Sequence, residues 1–270
     1  EFRRVLFRSP QGTPKVAITE AALGGTLRSD LFSTSHAESE AARAGLSRQN
    51  SKMVKVALDG KVIARQGAMV AYQGQMEFKA LGSGGIGKFL KQQLTGEGIP
   101  LMEVRGRGDL FLADQASDVF LIDLDGPHDG LSINGRNVLA FEPSLDWDIR
   151  RVSGVGALST AGLFNCVFSG QGRIAITCKG NPVVLRVDQP TYADPQAAVC
   201  WSAGLKTGYH RADKLGIGTL LGRTTGEGFT MSFSGQGFVV VQPSEEVPTG
   251  LAGNTSDGEK GGLLGGILSD

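Results

Sequence analysis

A string of Gly-x-Gly followed by alternating apolar residues occurs three times, as "GRGDLFL" from Gly106, "GQGRIAI" from Gly170 and "GQGFVVV" from Gly235. The copies stand 64 and 65 positions apart (170 − 106 and 235 − 170). Spacing this regular marks an internal repeat, which restricts the chain to folds where one supersecondary unit packs on its own copies. Two further elements precede each Gly-x-Gly in fixed order. An apolar run closes on an aromatic residue in "AMVAYQG" near Tyr72, "NVLAFEP" near Phe141 and "AAVCWSA" near Trp201. A glycine-bounded stretch of helical character then follows in "GIGKFLKQQLTGEG" at Gly85, "GVGALSTAG" at Gly154 and "GIGTLLGRTTGEG" at Gly216.

Most of each unit has period two. "VKVAL" from Val54, "DLFLAD" from Asp109, "DVFLIDL" from Asp118 and "VVLRV" from Val183 alternate and are rich in β-branched residues, so they read as strands. Glycine tolerates positive φ, and the Gly-x-Gly between "LMEVR" and "DLFLAD" is expected to be a hairpin turn. In the helical stretch Ile86, Phe89, Leu90 and Leu94 share one face, Lys88, Lys91 and Gln92 the other, and Gly96 stops it. The expected fold is mainly β: stacked β-sheets from three internal repeats of about 65 residues, with one short helix per repeat. The repeats are placed at about 53–118, 119–182 and 183–248.

Outside them the composition changes. Residues 10–52, with "STSHAESEAARAGLSRQNSK", are small and polar, and residues 249–270 are Gly-rich; both are expected to be mobile arms. The opening "EFRRVLFRS" lacks the apolar core of a secretory signal and reads as an in-frame translation of a common sequencing adapter. Residues 1–9 are therefore expected to be an artefact.

Lys plus Arg and Asp plus Glu balance at 27 each, which removes the overall field that would draw the chain to nucleic acid or anionic lipid. No apolar run approaches the roughly 18 residues of a membrane helix. The expected location is the cytoplasm, with only weak membrane contact available through the closing "GGLLGGIL". Cys166, Cys178 and Cys200 form neither a disulfide framework nor a CxxC pair, so they are expected to be buried, reduced thiols.

Several local patterns invite a chemical reading. "GSGGIGKF" from Gly82 nearly spells a phosphate-binding loop, but Phe89 stands where a magnesium-holding hydroxyl is needed and Lys88 does not recur in the other units. His36, His128 and His210 are too dispersed for a metal cluster. "FSGQG" at Phe168 and Phe233 sets Ser beside Gly in a repeated turn, without a nucleophile elbow. Asp123 with Asp125 and Asp146 with Asp148 are candidate carboxylate pairs, read more simply as solvated strand positions. Trp147 and Trp201 read as packing or interface anchors. No catalytic, cofactor-binding or metal-ligating residue is assigned.

Taken together, "MVAYQGQMEF" with Gly67 and Met69 before it, the glycine-rich helix start, "GEG" and the strand with Gly-x-Gly resemble the altered-inheritance-of-mitochondria family over about Met53 to Pro248. That resemblance implies a β-rich fold likened to the tryptophan RNA-binding attenuator protein, and a ring-like homo-oligomer. Fungal relatives are associated with the mitochondrial inner membrane. It implies no catalytic residues, and a likeness of fold does not transfer RNA binding. The expectation is a non-enzymatic scaffold or interaction protein without cofactor, self-associating, with a trimer among its forms. A small-ligand or nucleic-acid binding module using a cleft between repeats is the alternative.

Overall fold

The computed structural model describes residues 36–39, 44–81, 99–151, 164–210 and 230–244. Among them strand dominates, as the period-two patterning predicts. The elements are β1 (Gly45–Asn50), β2 (Met53–Arg65), β3 (Met69–Ala80), β4 (Leu101–Leu112), β5 (Asp118–Asn134), β6 (Val138–Phe141) and β7 (Leu145–Arg151). There follow β8 (Phe164–Cys178), β9 (Val183–Val187), β10 (Thr191–Ala193), β11 (Ala198–Ser202), β12 (Lys206–His210), β13 (Thr230–Ser234) and β14 (Gly237–Val241). One 3-10 turn, Gly135–Asn137, joins β5 to β6, with the Asn134 side chain accepting from the Arg136 amide. The expected helical stretches lie outside the described residues, as do the phosphate-loop-like string, residues 1–9 and the tail.

The main sheet runs β3-β4-β2-β6-β8-β5-β11-β14-β9, with β1 added on β2 and β7 on β8. A second sheet runs β10-β13-β12. Every pairing in both is antiparallel. One arrangement recurs along the main sheet: β4 lies between β3 and β2, β8 between β6 and β5, and β14 between β11 and β9. These triplets are joined by β2 against β6, where Ile63 faces Phe141, and by β5 against β11, where Ser132 faces Trp201.

Alternation sends one side of each strand inward. In β2 the side chains of Val54, Val56 and Leu58 are buried with Leu110, Leu112 and Val104 of β4. Phe141 and Phe168 meet edge to face at 4.9 Å in the middle of the sheet. Trp201 packs in the same manner on Phe233 at 5.4 Å, in a third cluster with Met231 and Val239. Aromatic pairs in this geometry add to the stabilisation from area alone.

The Gly-x-Gly strings are not hairpin turns. β4 and β8 run straight through them, and only in the third copy does the strand break, ending β13 at Ser234 and starting β14 at Gly237 in the other sheet. The glycines serve close backbone approach instead. Gly106 and Gly108 hold φ of +143° and +137° opposite Met76 and Gly74 of β3. A β-carbon at Gly106 would stand 2.0 Å from the Gln75 carbonyl oxygen, and one at Gly108 1.9 Å from that of Gln73. Both contacts are with backbone, so no side chain can swing aside.

The ordered region also starts earlier than expected. Residues 45–50, read as part of a mobile arm, form β1, because Leu46 is wholly buried and Gly45 to Arg48 pair with Ala57 to Val54. Two ion-pair systems fasten this end. The buried Lys55 ammonium reaches Glu38 Oε1 at 2.5 Å and Asp109 Oδ2 at 3.2 Å, and donates to the Ser39 carbonyl at 3.0 Å. Burial works against its charge, but the hydrogen bonds to Glu38 and Asp109 outweigh it and leave the Lys55 pKa raised. Arg173 of β8 donates to both oxygens of Asp123 on β5, at 2.6 and 2.7 Å, and to the Leu46 carbonyl of β1 at 3.1 Å.

Gly106→Ala and Gly108→Ala should each destabilise the fold by about 2–4 kcal/mol, since backbone strain and a carbonyl clash coincide. Gly204→Ala, where an added β-carbon meets nothing within 4 Å, should change it by less than about 0.5 kcal/mol. Urea unfolding midpoints of the three variants check this.

Candidate functional site

The fold buries the thiols and scatters the other chemically capable side chains. Cys166, Cys178 and Cys200 are buried in one apolar cluster built by β5, β6, β8 and β11. Burial pushes each thiol up to about 12, with Asp148, Asp118 and Cys178 as smaller contributors to Cys166, Cys178 and Cys200 respectively. Protonated thiols out of solvent are neither nucleophiles nor metal ligands. Burial alone likewise drives the Tyr209 hydroxyl upward.

The carboxylate pairs fare no better as acid–base partners. Asp123 is clamped bidentately by Arg173, and Asp148 pairs with Arg150 Nε at 3.0 Å. Asp125 and Asp146 are exposed. All four sit on solvent-facing strand positions, as their spacing suggested. His36 is exposed near the described N-terminal end, while His128 and His210 fall in β5 and β12. Among the described residues no group of three His, Cys, Asp or Glu side chains is arranged to hold a metal. Ser169 and Ser234 occupy strand positions opposite Asp146 and Lys206. Trp147 packs edge-on against Phe141 at 5.3 Å, and Trp201 is buried, so both act in packing.

What the structure does concentrate is exposed apolar surface. Met69, Val70, Tyr72 and Phe78 all lie on β3, which has β4 alone as its strand partner among the described residues. Tyr72 and Phe78 lean on each other with ring centroids 5.4 Å apart. Val183 and Val184 lie on β9 at the other end of the main sheet, and Tyr192 on β10 at the edge of the second. These are the large apolar side chains left exposed among the described residues, and they gather on sheet edges. An outer strand of this length with little charge is a ready template for another strand. The sequence does not reveal this grouping, because "MVAY" is as apolar as "VLAF" and "AVCW" and differs in having no second strand beside it among the described residues.

A family model described as "Mitochondrial biogenesis AIM24" matches residues 45–244. The chain belongs to the AIM24 family. The AIM24 match opens at Gly45, the first residue of β1, so it takes in the strand that the sequence reading left in the arm. A solved crystal structure of a Streptococcus pyogenes protein is similar, with 20% identity and a TM-score of 0.58 over 75% of this chain and 94% of that one. At that identity the likeness is one of fold. No curated protein matches. Among the described residues no helix is long and apolar enough to cross a membrane.

The state of the thiols gives this AIM24 chain a measurable signature. Unfolded thiols ionise near 9, whereas the folded ones keep their protons to about 12. Between those values the unfolded state has released protons that the folded state retains, so stability is full below pH 9 and falls as pH rises toward 12. Ellman's reagent should label none of the three thiols in the native chain at pH 8 and all three in denaturant. Urea midpoints measured upward from pH 9 should decline.

Proposed function

We propose that this chain is a non-enzymatic interaction module built from three β units, acting through its sheet edges rather than through a chemical site. The observation that carries the reading is the contrast just described. Groups able to do chemistry are buried or dispersed, while large apolar side chains are gathered on outer strands. Edges of this kind are normally covered, charged or shortened unless they meet a partner.

The three-unit organisation draws support from the register. The residue opposite the position four beyond the first glycine is Tyr72 (against Leu110), Phe141 (against Ile174) and Trp201 (against Val239). The aromatic residues that align in the sequence therefore hold one register in the sheet. The first strands of the units begin at Met53, Asp118 and Val183, at the expected repeat interval. Three copies of one unit, none of them chemically distinct, suit the extended binding surfaces that stacked repeats present.

Native mass spectrometry of the full chain after mild purification tests this. The expected spectrum holds the bare chain mass or whole multiples of it. A defined extra mass retained by the chain would overturn the reading in favour of a small-ligand module. An RNA-length-dependent shift would do the same in favour of nucleic-acid binding.

A further inference from the structure

We propose that Gln49 and Lys55 form a recognition site on the sheet face for an extended peptide with an acidic residue at its centre, which the chain's own Ala37, Glu38 and Ser39 occupy while no partner is bound. The site goes beyond the edge contacts of the interaction-module reading, since no residue of β3, β9 or β10 takes part.

Residues 37–39 are held in the way a peptide is gripped by a binding protein. The Gln49 side-chain amide, on β1, donates through Nε2 to the Ala37 carbonyl at 3.1 Å and accepts at Oε1 from the Ser39 amide at 2.9 Å. One amide thus bonds the peptide groups on either side of Glu38, as a residue of an adjacent strand would. Main-chain bonds of this kind grip any extended segment, and a pocket for the intervening side chain supplies the specificity. Here that pocket is Lys55 of β2, whose ammonium donates to Glu38 Oε1 at 2.5 Å and to the Ser39 carbonyl at 3.0 Å. The Ser39 hydroxyl adds one further bond, to Gln49 Oε1 at 2.8 Å.

The occupant adds little of its own to fix it there. None of Ala37, Glu38 and Ser39 carries a large apolar side chain and all three are half-buried, so the segment is held by polar bonds that another peptide can duplicate. The site, by contrast, is built into the sheet. Lys55 leaves 6% of its side chain exposed, stands opposite Ser47 and Phe111 in the ladder, and holds its ammonium 5.9 Å from the Phe111 ring centre. A cation so placed requires anionic partners. Asp109 of β4, at 3.2 Å, belongs to the sheet, and the second place falls to a carboxylate brought in by the segment above. Gln49 and Lys55 lie inside the residues matched by the family model, whereas residues 37–39 precede them. Charge and hydrogen bonding together specify the partner: an extended chain of small-Glu-small type that offers a carbonyl, a carboxylate and then an amide N–H.

Because residues 37–39 are tethered, they compete with such a partner at an effective concentration of about a millimolar, so the closed chain binds a free peptide weakly. The probe is a fluorescein-labelled synthetic peptide, "TSHAESEA", with the sequence of residues 34–41, titrated by anisotropy against full-length chains. Glu38→Lys sets a cation against Lys55 and opens the site; with circular dichroism unchanged, this chain should bind the peptide about tenfold or more tightly than the unsubstituted one. Adding Gln49→Ala or Lys55→Met to Glu38→Lys should remove the gain, as should a peptide with Lys in place of its central Glu. The same affinity for both chains, or none for either, would overturn the proposal and leave the segment a structural strap. Binding that survives Gln49→Ala, a change confined to a half-exposed side chain, would overturn it by placing the peptide elsewhere. Either failure leaves the edge reading standing, because β3 and β9 are untouched. A ligand mass retained in the native spectrum overturns that reading without bearing on this titration.

Discussion

The absence of a β-carbon where β3 crosses β4 is the constraint on which the first part of the sheet depends. Gly74, Gly106 and Gly108 let two backbones close to a distance at which a side chain on either would collide with a carbonyl oxygen. That approach keeps the long ladder of β3 on β4 in one register from Ala71 opposite Phe111 to Ala80 opposite Met102, past a single shift between Met69 and Ala71. β4 in turn holds β2 along its whole length, and β2 holds both β1 and β6. Loss of the glycine crossing would therefore loosen the strands that bury Val54, Leu110 and Leu112, not merely a turn.

Much of this was legible in the residues. Strand character followed from alternation in "VKVAL", "DVFLIDL" and "VVLRV", and the aromatic that closes each apolar run proved to hold a common register against the Gly-x-Gly strand. The meaning of the glycines was not legible. Positive φ serves a hairpin turn and a crossing of continuous strands equally well, and only the partner strand distinguishes them. β1 was missed for a related reason: "GLSRQN" has one large apolar residue, so its order comes from pairing with β2 and from burial of Leu46, neither of which local pattern encodes.

The charged residues follow the same division of labour. A neutral overall balance hides the fact that several charges are used to bind strands together. Lys55 spends its charge on Glu38 and Asp109 beneath the N-terminal segment, and Arg173 ties β8 to β5 and β1 at once. Removing one partner of such a pair costs most where the other is buried, as at Lys55, and little where both are exposed, as for Arg107 with Asp59. Carboxylates used in this way are not free for acid–base work, which is why Asp123 loses its interest as a candidate once Arg173 is seen beside it.

In a stack of like units, as proposed here, the inner junctions are buried and the outermost faces are not, whatever residues stand there. The sequence pattern assigns Tyr72, Phe141 and Trp201 the same role, since burial depends on the neighbouring strand rather than on identity. The structure separates them: Phe141 pairs beside Ile63 of β2 and Trp201 beside Ser132 of β5, whereas Tyr72 lies on a strand with β4 as its one partner among the described residues. A terminal unit selected only for solubility would carry polar or charged residues at that place. β3 instead keeps Met69, Val70, Tyr72 and Phe78 on an outer strand, with its charges, Glu77 and Lys79, held toward one end. Apolar residues of inner-strand type at an outer position are what the proposed edge contact would cover.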